Sequence, residues 1–323
     1  MEELRQEGDT TEAQPQTTFE TPVQSKAERA GFPDWLITYG WILIAFIAFQ
    51  VIAAIVVIAG LLGTPGTDLT DLMTPDGLSE HFDLLFLGNS MGQILAFGVL
   101  TLPIIYFVKR RSWSEMLPMK RDASVWKYTA LASLLIIVGA PSVWLLAWLN
   151  TFVPLPTFLL ELERQQTDMI EGFLKSDFNV ALAIFHVAMV PAVCEEILYR
   201  GFALNLLRRT KAAWTAILIT GIIFGFYHLR LSQVIPLATI GIFLGWITVK
   251  SGSLIPAMVA HFVNNAFSVL IVKFMPDSPL AESAPEMPPL WLALGSIVLV
   301  YVVLYFITRQ TNSGEASDVW KSG

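Results

Sequence analysis

Charge is scarce in this sequence. Asp, Glu, Lys and Arg make up 15% of its 323 residues, against roughly 25% in an ordinary soluble domain, while the apolar types ACFILMVWY supply 54%. A soluble fold has too little polar surface to hide that much hydrocarbon, so the composition points to a membrane protein. A basic stripe is also missing, and the formal net charge of −7 argues against a nucleic-acid binder, which needs clustered Lys and Arg to neutralise phosphates. Only one cysteine, Cys194, is present. That rules out an intrachain disulfide framework and any Cys-rich metal centre, and Cys194 itself reads as a small buried hydrophobe rather than a nucleophile. Residues 1–34 lack apolar periodicity and are rich in Gln, Glu and Thr, so they read as a disordered cytoplasmic tail that cannot offset the entropy of ordering. They also lack the basic start and immediate apolar core of a secretory signal.

What is abundant is long apolar runs. About 20 apolar residues are needed to cross the hydrocarbon as a helix, and candidates lie at 35–62, 84–107, 125–149, 179–207, 212–228, 233–249, 254–272 and 289–307. The expected fold is all-α, a polytopic transmembrane bundle of about eight spans, the fifth and sixth being short and closely joined. Lys109, Arg110, Arg111, Lys120, Arg121, Arg208, Arg209, Lys211 and Lys250 fall in alternate connections, which by the positive-inside rule puts both termini in the cytoplasm. The links at 63–83 and 150–177 hold few or no basic residues and should lie outside. Within 157–175, Phe158, Leu159, Leu162, Ile170, Phe173 and Leu174 could form one apolar stripe, the pattern of an interfacial amphipathic helix. A solvated loop helix is the alternative. The chain then divides into the tail, N-terminal helices at 35–150, an extracytoplasmic interfacial segment at 151–178, a core at 179–273, a last loop and helix at 274–308, and a tail at 309–323.

An ionisable group inside a bilayer costs several kcal/mol and marks a cavity or reaction site by default. Glu195, Glu196 and Arg200 fall in the fourth run, His228 ends the fifth, and His261 and Asn265 lie in the seventh. At roughly 100° per residue, Glu196 and Arg200 share a helix face and can pair, whereas Glu195 is rotated about 140° from Arg200. The expected division is a structural ion pair, Glu196 with Arg200, beside a free acid or base, Glu195. Pro191 removes one backbone hydrogen bond and should kink the helix one turn before the acids. Neutral imidazole can serve as base, donor or metal ligand, and an Asn amide can donate to a developing oxyanion. His186 and His81 read as packing or interface residues.

Three short patterns occur in order: Glu195-Glu196-Ile-Leu-Tyr-Arg200, Phe224-Gly-Phe-Tyr-His228 and His261-Phe-Val-Asn-Asn265. With them the region from about 179 to 273 resembles the CPBP family of intramembrane proteases, the type II CAAX prenyl endopeptidase and bacteriocin-processing (Abi) group. The resemblance implies peptide-bond hydrolysis in the membrane: Glu195 and His228 activate a water, His261 and Asn265 stabilise the oxyanion, and Glu196 with Arg200 holds the scaffold. The family is often labelled metalloprotease, and Glu195, His228 and His261 could bind Zn²⁺. A metal-free glutamate mechanism uses the same residues, and with no His-Glu-x-x-His run present the sequence leaves both readings open. The implied partners are a peptide or membrane-anchored protein substrate and the lipid bilayer, and the implied location is the cytoplasmic membrane. Two other classes fit the same cluster: a non-proteolytic immunity or maturation factor, and a proton-coupled transporter.

One expectation sits uneasily with the rest. His228 should lie about 24 Å along the fifth helix, near its outer end, whereas Glu195 and His261 belong nearer mid-depth.

Overall fold

The computed structural model describes residues 23–64, 81–175, 179–276, 278 and 286–310, with the side chains of residues 166 and 168–175 left aside. Among the described residues there are helices and no strand. The main helices are α1 (Asp34–Gly63), α2 (Phe82–Val108), α3 (Ala123–Asn150), α4 (Thr157–Lys175), α5 (Val180–Leu207), α6 (Ala213–Tyr227), α7 (Leu231–Ser251), α8 (Ile255–Phe274) and α9 (Leu290–Arg309). All but α4 and α6 are long and apolar enough to cross a membrane. With 15 residues, α6 rises only roughly 22 Å, short of a hydrocarbon layer of about 30 Å. The eight apolar runs thus resolve into seven helices of spanning length and one short one. Leu43, Ile55, Val298 and Tyr301 are each at least 60% exposed, an outward apolar face suited to lipid and costly in water. The chain is a multi-pass membrane protein.

Hydrogen bonds tie the helix ends into two poles. At one pole Arg209, just past α5, donates to the Val108 carbonyl that ends α2 at 2.8 Å. There too Leu254 N–H donates to Pro118 O at 2.8 Å and the Tyr128 hydroxyl to Gln310 O at 2.8 Å. At the opposite pole Trp144 Nε1 donates to Glu286 O at 2.8 Å and Asn150 Nδ2 to Leu231 O at 3.0 Å.

The disordered-tail expectation for residues 1–34 needs correction from residue 23 on. Lys26–Arg29 forms one helical turn with a capping box between Ser25 and Glu28, which satisfies two backbone donors reciprocally. Ala27 is fully buried, Lys26 lies over the Tyr106 ring and Glu28 pairs with Arg110. Side-chain contacts at the membrane boundary supply what the turn lacks in apolar periodicity. Residues 1–22 and the tail beyond 310 lie outside the described residues.

The polar cross-connection at the second pole is α4. Glu163, 6% exposed, accepts the Leu231 and Ser232 N–H groups at 2.7 and 3.1 Å, and Arg230 donates to Thr167 Oγ1 at 3.0 Å. Phe158 and Leu162 remain 64% and 54% exposed. Glu163 in effect caps the start of α7, where free N–H groups need an acceptor.

Candidate functional site

The site is built where α5 departs from regular α-helix. Residues Ile184–Met189 and Ile197–Leu204 are π-helical, a form found mostly as short interruptions at functional positions. Pro191 lies between them and has no N–H to offer the Val187 carbonyl four residues back. Asn265 Nδ2 from α8 takes that place, donating to Val187 O at 3.1 Å. The proline therefore frees a carbonyl in the membrane interior, and the asparagine satisfies it, as a lipid-embedded backbone group requires.

Helix α6 approaches α7 through glycine. A Cβ on Gly221 would stand 2.6 Å from Ile242 N, and one on Gly241 would stand 2.9 Å from Gly221 O. The sequence carries Gly221-x-x-x-Gly225 and Gly241-x-x-x-Gly245, the small-residue spacing that lets helix backbones touch in membranes. This close crossing brings the Gly241 carbonyl to Arg200.

Arg200 and Glu196 are both wholly buried. Arg200 Nη1 donates to Glu196 Oε1 at 2.7 Å, and Nη2 to Gly241 O at 2.8 Å. The guanidinium carbon sits 4.6 Å from the centroid of the Phe224 ring, a cation–π contact strengthened by desolvation. Glu196 Oε1 also meets His261 Nδ1 at 3.0 Å. That bond makes Nδ1 a donor, so the other ring nitrogen, Nε2, faces Glu195 Oε2 at 3.9 Å. Phe224 touches the remaining imidazoles as well, with centroid separations of 4.7 Å to His228 and 5.7 Å to His261. One aromatic ring thus fixes the arginine and both histidines.

Glu195 is 7% exposed and its Oε2 has no hydrogen-bond partner among the described residues. It lines a cavity of about 730 Å³ together with His228, Asn264, Asn265, Gln93 and Pro191. His228 caps the end of α6, and its Nδ1 donates to Phe224 O at 2.8 Å, which leaves Nε2 as the lone-pair nitrogen. The depth difference between His228 and Glu195 therefore does not separate them, since one cavity is lined by both. His261, 3% exposed, stands behind Glu195 and outside the cavity wall.

Of the next two residues, Gln93 has no counterpart in the sequence reading, while Asn264 is the neighbour that His-x-x-x-Asn spacing passes over for Asn265. Gln93, 6% exposed, places a carboxamide in the cavity wall with Oε1 unpartnered among the described residues. Asn264 donates to Asn265 Oδ1 at 3.0 Å and so sets the amide orientation. Helical spacing could have marked Asn89 and Gln93 as one polar face of an apolar helix. His186 bonds Ser90 Oγ at 2.7 Å, and Cys194 is buried in the packed core. Among the described residues no three His, Cys, Asp or Glu side chains come together as metal ligands: Glu195 and His228 face the cavity while His261 lies behind, its Nδ1 engaged by Glu196.

No curated protein and no solved structure matches the chain. Residues 177–267 match the family model described as type II CAAX prenyl endopeptidase Rce1-like, a segment that holds Glu195, Glu196, Arg200, His228, His261 and Asn265. In that segment, somewhat over a quarter of its length, the chain is similar to the type II CAAX prenyl endopeptidase Rce1-like family.

Proposed function

We propose that the chain is an intramembrane endopeptidase that hydrolyses a peptide bond of a membrane-associated peptide or protein, with Glu195 as general base. The carrying observation is the Glu195 carboxylate: a buried acid with an unpartnered oxygen, facing a cavity that His228 also lines. An acceptor held in an apolar wall is placed to take a proton from water without competition from bulk solvent. In the proposed reaction Glu195 accepts that proton as the water oxygen attacks the scissile carbonyl. His228, whose Nδ1–H is held by Phe224 O, accepts a hydrogen bond from the same water at Nε2, and Glu195 passes the proton it took to the leaving amine as the C–N bond breaks.

The oxyanion falls to the amide side. A carboxamide nitrogen carries two hydrogens, and Asn265 uses one on Val187 O, which leaves the second for the developing oxyanion. Glu196 with Arg200 fixes His261, which stands behind Glu195 with Nε2 3.9 Å from Oε2. Metal content of the purified protein, with activity before and after chelation, tests the zinc expectation.

The deciding experiment compares membrane peptides in cells carrying wild type and Glu195→Gln. Uncleaved peptides should accumulate with the variant while folded protein is retained, a loss of at least ~10²-fold for removal of a general base. Equal peptide profiles would sink the protease reading. An unchanged phenotype would then favour a binder, and proton-driven uptake into liposomes a transporter. We propose the cytoplasmic membrane as its location; the apolar helices support a multi-pass membrane protein.

A further inference from the structure

We infer that Glu163 of α4 and Asn150 of α3 are positioning residues for His228, because they hold the α6–α7 turn against backbone strain at Leu229. The worth of that placement for hydrolysis rests on the endopeptidase reading; the clamp itself does not.

The strain lies at the residue that follows His228. Leu229 has φ +53°, in the left-handed region, and no other non-glycine residue among those described has a positive φ. There the side chain crowds the backbone, which is why glycine usually takes such a position. The end of α7 shows the unstrained solution, with Gly252 at φ +64°. Packing of the leucine does not offset the strain, since Leu229 is 50% exposed. A strained residue persists only where its surroundings over-determine it.

Those surroundings come from two helices remote in sequence. Both carboxylate oxygens of Glu163 are engaged just past Leu229, one by the Leu231 N–H and the other by the Ser232 N–H. Asn150, 1% exposed, uses both ends of its amide on the same stretch: Nδ2 donates to Leu231 O at 3.0 Å, and Oδ1 accepts the Ile235 N–H at 2.8 Å. Arg230 adds its bond to Thr167. On the near side the Leu229 N–H donates to Phe226 O at 3.1 Å, and the His228 ring is tied to Phe224 O. Leu229 is thus pinned from before and behind. With the far side released it relaxes to negative φ, and the peptide plane it shares with His228 turns with it. The imidazole then leaves the orientation in which Nδ1 donates to Phe224 O and Nε2 keeps its lone pair. A plain helix cap at Glu163 predicts something else: loss of the acceptors would loosen α7, and the residue type at 229 would not matter.

Ring ¹⁵N spectra of histidine-labelled protein in detergent, taken in alkaline buffer where imidazole is neutral, read the tautomer directly, and His228→Gln identifies the signals. Wild type should show His228 as the Nδ1–H form, since the hydrogen bond made by one ring nitrogen sets the tautomer. Glu163→Ala should replace that signature with a mixture of the two neutral forms. Adding Leu229→Gly to Glu163→Ala should restore it, because glycine adopts a positive φ without strain. Glu163→Gln, which keeps one acceptor oxygen, carries the same comparison should the alanine variant not fold, with a smaller loss and the same rescue. An unchanged His228 signature in the single variants, or a loss that Leu229→Gly does not restore, overturns the inference. The spectra need no cleavage, so a failed Glu195→Gln comparison leaves the clamp standing, and failed spectra leave the protease reading standing.

Discussion

The chain holds two acid–base clusters built from the same residue types, and their surroundings give them different work. At the pole where α2 and α5 end, Arg110 pairs with Glu28, and Arg209 bridges Glu115 at 2.6 Å and Asp34 at 3.9 Å. The Arg110–Glu28 pair sits at a water boundary, with Arg110 39% exposed, whereas Arg209 and Asp34 beneath it are 8% and 6% exposed. In the interior Glu196, Arg200 and His261 form a chain with no solvent contact to speak of. A boundary pair is screened and exchangeable with water; an interior one has no alternative partner if it is broken. The first cluster therefore ties loops together, while the second holds a geometry.

The sharpest way to break the comparison is to remove one partner in the interior. Arg200→Met leaves Glu196 uncompensated in an apolar core and should cost ~3–5 kcal/mol, read as a large drop in thermal unfolding temperature in detergent. Replacing both partners, Glu196→Leu with Arg200→Met, should cost less than Arg200→Met alone, because no charge is left unpaired. Double-variant stability equal to the sum of the single losses would show that the pair is not coupled.

The next largest effect is expected at Gly221. An alanine Cβ there meets the Ile242 backbone nitrogen at 2.6 Å, which forces α6 and α7 apart and moves the Gly241 carbonyl that holds Arg200. Gly221→Ala should cost ~1–3 kcal/mol as overpacking and lower cleavage further than stability alone explains. Gly295→Ala, with nothing within 4 Å of the added Cβ, is the control and should leave both unchanged.

Much of this was legible in the sequence, and the remainder was hidden for physical reasons. Spans as apolar as Asp34–Gly63 declare themselves by composition, because a bilayer tests average hydropathy over about 20 residues. The i, i+4 spacing of Glu196 and Arg200 likewise needs only helix geometry. What composition cannot carry is the path of individual backbone groups: the π-helical segments, the carbonyl freed by Pro191, and its capture by Asn265 from a helix more than seventy residues away. Nor could one sequence tell that His261 stands behind Glu195 while His228 shares its cavity, since that depends on how α6 and α8 pack around α5. Gln93 shares a helix face with Asn89 at i, i+4, but spacing alone does not say that this face borders the cavity.

The smallest expected effect belongs to the boundary cluster. The hydrogen bonds from Arg110 to Glu28 hold that carboxyl at about 2, below its ordinary 4.5. A carboxyl depressed on folding stabilises the native state fully above its unfolded value; that contribution is lost as pH falls from about 4.5 toward about 2. Taken at face value the depression would be worth ~3 kcal/mol, but the pair is open to water, and such pairs contribute under ~1 kcal/mol. Glu28→Gln should therefore lower stability slightly at neutral pH and flatten its acid dependence over that window. An acid limb as steep as that of wild type would mean that the pairing has no free-energy consequence. A neutral-pH loss as large as that of Arg200→Met would erase the distinction between the clusters, because the boundary pair would then behave as a buried one.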